Sequence, residues 1–456
     1  MKILVVSLGC DKNLVDTEKM MSILMRSAHT RPGRLYEFTD DEMEADTIIV
    51  NTCCFIGDAK VESINTIIEL GSLKENPEAH LKYLIVAGCL SKRYRDEILK
   101  ELPEIDAIVD LGSLAQIAVI LSELEDGQKV DSDRYRIKDD LSERTGRILT
   151  TGGHYAYLKI ADGCDKRCTY CVIPYVRGAY HSVPMETLLE EANELAEMGV
   201  RELILVAQEI TRYGCDLYGR KCLTDLLHAL CKIDGIRWIR LLYCYPEELT
   251  DDMIDCMAEE EKIVHYIDMP IQHASDRILR KMGRKTTHLG IEEVIEKLRR
   301  RIPDIAIRTT LISGFPTETE EDHEITMQFV NDMEFTRLGV FPYSLEEGTP
   351  AASFENQVDE AVKEERRNAI MELQQEIAFE HNASLPGTVL TVLVEGKVSG
   401  EAAYVARSYM DAPGIDGLVF INTGELLMSG DFVKVKITGA DGYDLIGELI
   451  ENESAE

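Results

Sequence analysis

The stretch Tyr157-Leu-Lys-Ile-Ala-Asp-Gly-Cys164-Asp-Lys-Arg-Cys168-Thr-Tyr-Cys171-Val-Ile-Pro174 carries three cysteines in one short loop, spaced by three and then two residues, directly after an apolar run. The run reads as a strand and the cysteines as the turn beyond its end. Compact thiolate spacing of this kind binds zinc or iron-sulfur. A structural zinc site usually takes four ligands, and no local fourth cysteine or histidine completes this set. On a cubane cluster, three thiolates leave one iron open to a small molecule, which is what reductive activation of a cofactor needs.

Upstream, a second pattern repeats three times. Lys2-Ile-Leu-Val-Val-Ser-Leu-Gly-Cys10, Thr47-Ile-Ile-Val-Asn-Thr-Cys53 and Tyr83-Leu-Ile-Val-Ala-Gly-Cys89 each put a cysteine just after an apolar run. Such runs read as buried strands. Helical-length stretches near Val15 to Arg26, Ala59 to Leu70 and Arg93 to Leu102 intervene, so a parallel sheet with right-handed crossovers is the simplest arrangement. Open α/β sheets place ligands at the carboxyl ends of their strands, which would bring Cys10, Cys53 and Cys89 together. Cys54 is the nearest impostor: in extended backbone its side chain faces away from that of Cys53. The bland alternative is three buried cysteines at strand ends by chance.

The chain has 456 residues, enough for two or three domains, and 49 basic against 83 acidic residues give a formal charge of -34. This acidity argues against a non-specific nucleic-acid coat and leaves a local basic pocket open. No apolar run approaches the ~20 residues that cross a bilayer, and no export signal is visible. A soluble cytoplasmic protein without a membrane role is therefore expected, and its 12 cysteines become candidate metal ligands rather than disulfides.

Cys164, Cys168 and Cys171 resemble the signature of radical S-adenosylmethionine enzymes. Together with the upstream cysteines, Gly163, Tyr170, Pro174 and Arg177-Gly178, the chain is similar over essentially its whole length to the methylthiotransferase branch. Four stretches resemble the RimO-type members, which act on a ribosomal protein, more than the MiaB-type members, which modify adenosine in tRNA. They are Ser7-Leu-Gly-Cys-Asp-Lys-Asn-Leu-Val-Asp16, Ala207-Gln-Glu-Ile-Thr-Arg-Tyr-Gly214, Tyr266-Ile-Asp-Met-Pro-Ile-Gln-His273, and Ala406-Arg-Ser-Tyr with Asp416-Gly417.

The expected architecture is α/β with three parts. Residues 1–145 form a parallel α/β sheet domain with an auxiliary iron-sulfur cluster, joined by a polar connection over 122–150. Residues 150–384 form a partial (β/α)6 barrel, with strands before Cys164 and near Leu203 to Ala207, Trp238 to Leu242, Tyr266 to Met269, Ile305 to Leu311 and Thr336 to Phe341. The long charged helix Glu360 to Ala383 follows. Residues 385–453 form a five-stranded barrel that resembles a TRAM domain. Residues 385 to 456 hold four basic and twelve acidic residues, a balance that suits a basic protein better than an RNA backbone.

The resemblance implies two 4Fe-4S clusters, one on Cys164, Cys168 and Cys171 that cleaves S-adenosylmethionine, the other on Cys10, Cys53 and Cys89 that delivers sulfur. It implies a methylthio group added at the β carbon of an aspartate in small-subunit ribosomal protein twelve, free or on the subunit, at an active site between domains. An external electron donor and a sulfur donor are needed; tRNA is the substrate only under the alternative reading. Gln208 and Glu209, just beyond a strand, are expected to contact the cofactor, as are Arg308, the backbone of Gly314 in a Gly-Phe-Pro turn, and Tyr170 by packing on adenine. Thr317 stands where the family commonly has glycine. Cys215, Cys222, Cys231, Cys244 and Cys256 lack joint spacing and are assigned to packing or local surface roles.

Overall fold

The computed structural model describes residues 1–30, 35–128, 130 and 146–450, so much of the 122–150 connection and the last residues of the barrel segment 385–453 lie outside the described residues. The chain divides into two compact units. One comprises Met1–Thr150, Asp162–Glu191 and Ser344–Ala352, the other Thr151–Ala161, Ala192–Tyr343 and Ser353–Glu456.

In the first unit, five parallel strands lie in the order Glu37–Phe38, Lys2–Ser7, Thr47–Thr52, Tyr83–Gly88, Ala107–Val109. Every residue of Thr47–Thr52 is buried, as a strand covered on both faces requires. Helices Asp11–Thr30 and Ile117–Glu125 cover one face through Met20, Leu24, Ile117 and Leu121. Gly57–Gly71 and Arg95–Glu101 cover the other through Ile67, Leu70 and Ile98. The helix expected over Arg93 to Leu102 is two pieces, Cys89–Arg93 and Arg95–Glu101, because Tyr94 leaves the helical region at φ -124° and ψ 34°. Its ring lies beneath the Arg93 guanidinium, 5.0 Å from the centroid.

The second unit holds six parallel strands that neighbour one another in chain order: Tyr155–Lys159, Glu202–Val206, Trp238–Leu241, Ile263–Asp268, Ala306–Ser313 and Arg337–Pro342. The sheet is open, with the first and last strands at its edges, as a partial barrel requires. A closed five-stranded barrel follows, built from Val389–Lys397, Ala403–Ser408, Val419–Asn422, Phe432–Asp441 and Asp444–Leu449. Barrel residues Val392, Tyr404, Ala406 and Val435 share one apolar cluster with Ile204, Val206, Trp238 and Tyr266 of the sheet. The helix Glu360–Ala383 buries a stripe that is largely polar: Lys363, Arg366, Ile370, Gln374, Ala378 and Asn382. Each polar member meets a partner, including Lys363 Nζ to Tyr343 O at 3.0 Å and Gln374 Nε2 to Phe335 O at 2.7 Å. No described helix is long and apolar enough to cross a membrane.

Three of the barrel's acidic residues face inward. Asp411 accepts from Arg337 Nη2 at 2.6 Å, Asp416 accepts from Tyr266 Oη at 2.8 Å, and Glu395 lies 2.9 Å from His154 Nε2. Glu401, Glu425, Asp441 and Glu448 remain exposed. Part of the negative charge counted in the sequence therefore binds the barrel to the sheet.

Candidate cluster and cofactor sites

Strand register brings the upstream cysteines to one edge. Ser7 lies opposite Asn51, and Asn51 opposite Ala87, so the three central strands of the first sheet end in step. Cys10, Cys53 and Cys89 follow within three residues of those positions. Gly9 makes the first turn at φ +84°, and a Cβ there would stand 2.4 Å from Cys53 Cβ and 2.7 Å from Cys53 Sγ. Only a residue without a side chain lets the Cys10 turn lie against Cys53. Glycine at positive φ also precedes Cys89 and Cys164.

Asn13, one turn into the helix after Cys10, ties the thiol-bearing turns together. Its Nδ2 donates to Leu8 O at 3.0 Å and Thr52 O at 2.9 Å, and its Oδ1 is 3.9 Å from Cys89 Sγ. Asn51 Nδ2 donates in turn to the Asn13 carbonyl at 2.9 Å. Burial raises the Cys53 thiol, a backbone hydrogen bond from Phe55 opposes it, and the Cys10 sulfur raises it further. Burial pushes Cys89 up to about 12 against the opposing pull of Arg177. Cys54 lies in the same apolar cluster as Cys89, with Ile48, Val50 and Leu90, and burial pushes its thiol up to about 12 as well, against the opposing pull of Arg93.

In the downstream loop, Cys164 and Cys168 are buried and Cys171 half-buried. Lys166 N lies 3.4 Å from Cys164 Sγ, and Cys171 N donates to Cys168 O at 3.1 Å. Desolvation, and then the Cys168 and Cys164 sulfurs, push the Cys171 thiol above its ordinary range. Tyr170 is half-buried. This loop and the upstream triplet belong to the same compact unit. Among the described residues, no three His, Cys, Asp or Glu side chains already stand about a common metal point. The remaining thiols are all free, and burial lifts Cys231 to about 12 and Cys256 to about 11, which leaves them protonated.

The other expected contacts lie in the second unit. Gln208 is half-buried and Glu209 buried just past Glu202–Val206, with Thr211 Oγ1 donating to Glu209 Oε1 at 2.7 Å. Arg308 Nη1 donates to Asp268 Oδ1 at 2.7 Å, and Asp416 Oδ1 is 3.4 Å from its Nε. Gly314 turns at φ +66°, and a Cβ there would meet Lys363 Cγ at 2.2 Å, so packing against Glu360–Ala383 is itself a reason for glycine at this position. Thr317 has φ +74°, the conformation that suits glycine. Sequence reasoning included Asn13 only within the Ser7 to Asp16 stretch and gave it no role of its own. The available signal was its position three residues after Cys10, which puts it over the cysteine turn at the start of a helix.

Three families match successive parts of the chain: the uncharacterized protein family UPF0004 at residues 2–110, the Radical SAM superfamily at 158–330 and the TRAM domain at 387–450. The ribosomal protein uS12 methylthiotransferase RimO of Lachnoclostridium phytofermentans is 54% identical over 98% of this chain and 99% of its own length. Its counterpart in Acetivibrio thermocellus is 49% identical over 100% of this chain and 99% of its own length. The chain belongs to the RimO family. Solved structures extend the likeness in fold alone. The radical S-adenosylmethionine methyltransferase TsrM of Kitasatospora setae, with tryptophan substrate and a SAM analog bound, gives a TM-score of 0.58 at 14% identity, over 84% of this chain and 90% of that one. Membership in the RimO family accounts for the order of sheet, radical core and barrel along the chain.

Proposed function

We propose that this RimO-family chain is a cytoplasmic enzyme that adds a methylthio group at the β carbon of an aspartate in ribosomal protein uS12. Full-length similarity to proteins named for uS12 methylthiotransfer supports the substrate. The observation that carries the chemistry is the grouping of six cysteines as two triplets within one compact unit. Residues 1–145, 150–384 and 385–453 are the corresponding sheet, radical and barrel domains.

The donor sets fit iron-sulfur clusters. Each triplet offers three thiols and no nearby carboxylate ligand is needed; a cluster takes one thiolate per iron, so the sulfurs need not converge on one point. Thiols as desolvated as Cys53 and Cys89 ionise when a cation takes up the charge, the usual coupling of metal binding to proton release. Cys164, Cys168 and Cys171 are assigned to the cluster that binds S-adenosylmethionine, and Cys10, Cys53 and Cys89 to the auxiliary one. Held by Cys164, Cys168 and Cys171, such a cluster would supply the electron for reductive cleavage of S-adenosylmethionine, and with it hydrogen abstraction at a carbon too weakly acidic for a side-chain base.

The protein's own residues hold and orient. Gln208, Glu209 and Arg308 are assigned polar contacts with the cofactor, the Gly314 backbone a close approach, and Tyr170 a packing surface for adenine. Exposed Glu401, Glu425, Asp441 and Glu448 on the barrel suit a basic ribosomal protein. An external reductant and a sulfur donor complete the reaction.

Anaerobic reconstitution followed by turnover with uS12, and separately with tRNA, tests the assignment by mass spectrometry of each polymer. The expected result is a methylthio adduct on one uS12 aspartate. Loss of Cys164, Cys168 or Cys171 should abolish deoxyadenosine formation, whereas loss of Cys10, Cys53 or Cys89 should spare some of it and stop sulfur insertion. An adduct on tRNA, or none on either polymer, overturns the proposal.

A further inference from the structure

The Arg177 side chain is buried in the first unit and reaches both sulfur-bearing regions. Its Nη1 donates to Asp162 Oδ2 at 2.8 Å, two residues ahead of Cys164, and its Nη2 donates to Asn13 Oδ1 at 2.6 Å. Asp16 Oδ2 lies 3.3 Å from both terminal nitrogens. Arg177 itself closes the short helix Ile173–Val176 that follows Cys171. The opposite end of the Asn13 amide holds the carbonyls of Leu8 and Thr52, at the entries to the Cys10 and Cys53 turns.

We propose that Arg177 and Asn13 are positioning residues that fix the two cysteine triplets relative to one another. The inference rests on the reading that both triplets hold clusters. Two consecutive hydrogen bonds run from the segment carrying Cys164, Cys168 and Cys171 to an amide that touches all three upstream turns. A guanidinium suits this place because its donors diverge in one rigid plane, so it can hold Asp162, Asp16 and Asn13 at once; an ammonium is a point charge on a flexible stem. The two carboxylates and the buried amide leave the fork little freedom to turn. Transfer of sulfur to a carbon radical depends on such fixed placement, and a displacement of about 1 Å costs on the order of 100-fold in rate.

Arg177→Lys in the full chain keeps the charge and loses the fork. The expected variant loads both clusters and makes deoxyadenosine within about twofold of the unaltered protein, while methylthio product falls roughly 10- to 100-fold. Pulsed electron paramagnetic resonance of the doubly reduced protein should show a shifted or broadened distance between the clusters, which loss of stability alone would not produce. Asn13→Asp provides the second arm, because a carboxylate can still accept from Arg177 and cannot donate to Leu8 and Thr52. It should lose about half the bound iron and the auxiliary-cluster signal, and retain deoxyadenosine formation.

An unchanged intercluster distance and product-to-deoxyadenosine ratio in Arg177→Lys overturns the proposal. Should that variant fail to fold, retention of the auxiliary signal by Asn13→Asp does so. A single cluster in the unaltered protein would instead refute the two-cluster reading on which the inference stands.

Discussion

Arg407 Nη2, on the second strand of the barrel, donates to Glu202 Oε2, on the second strand of the six-stranded sheet, at 2.7 Å. The other oxygen of the same carboxylate accepts from Arg240 Nε at 2.7 Å, and all three side chains are buried. Desolvation opposes the Glu202 charge, but Arg407 and Arg240 outweigh it and hold the carboxyl below its ordinary range. Removing one partner of a buried ion pair costs about 3–5 kcal/mol, because the remaining charges keep their desolvation penalty. Arg407→Met should therefore lower the stability of the sheet-and-barrel unit by that order, measured by urea unfolding at pH 7.

Thr317 is a β-branched residue at φ +74°, held by its amide donating to Asn356 O at 2.9 Å and by its carbonyl accepting from Arg277 Nη2 at 2.8 Å. Both bonds use backbone atoms of Thr317 and survive substitution, whereas the long contact from Arg277 Nη1 to Thr317 Oγ1 at 3.4 Å is lost. Thr317→Gly relieves the strain, and the gain of about 1 kcal/mol is partly offset by the greater freedom of glycine in the unfolded chain. Thermal unfolding of the two proteins should place the variant higher; a lower melting temperature would show that the threonine side chain contributes more than its backbone costs.

Gly9→Ala tests the contact between the first and second upstream turns. The added methyl group would overlap Cys53 Cβ and Sγ, and the nearer of these, Cβ, is fixed to the backbone rather than being the far end of a flexible side chain. Iron after reconstitution should drop from roughly eight to roughly four atoms per chain, one cubane cluster's worth. Full iron loading in this variant would separate Cys53 from the auxiliary site.

Asp322 accepts from Ser275 Oγ at 2.6 Å and from Thr319 Oγ1 at 2.7 Å, pairs with Arg277, and completes the capping box of helix Glu320–Met333. Burial opposes its charge, but the Arg277 and Ser275 hydrogen bonds prevail and hold its carboxyl well below the usual carboxylate range. A depressed carboxyl stabilises the fold above the unfolded-state value near pH 4 and loses that contribution as pH falls through the folded value. Asp322→Asn should cost about 1–2 kcal/mol at pH 7, and the deficit should narrow toward pH 3. A deficit independent of pH would assign the effect to shape rather than charge.

The strands ahead of Cys10, Cys53 and Cys89 were legible because a strand covered on both faces must be apolar along its length, and the boundaries of helix Glu360–Ala383 were legible from the turn residues beyond it. That helix's buried Lys363, Arg366 and Gln374 were not, since their partners lie on other elements and leave no period in the sequence. The acidity of the barrel misled in one respect: a count of charges cannot distinguish Asp411 and Asp416, bound to arginine and tyrosine, from exposed Glu425 and Glu448. Arg177 entered only as part of a family motif, because a single arginine announces nothing about what it will reach through space. Gly314 was legible as a turn, while its contact with Lys363 depended on a helix some fifty residues further on.

The first unit is assembled from three separate pieces of chain, the last ending at Ala352. During synthesis its N-terminal piece, through Thr150, must wait for about 200 further residues, roughly 10–40 s at typical elongation rates, before its complement has emerged. The middle piece, Asp162–Glu191, follows soon after, but until the last piece emerges Arg93 lacks its partner Glu346. The unit that carries both cysteine triplets is thus complete only after all six strands of the other unit's sheet have been synthesised.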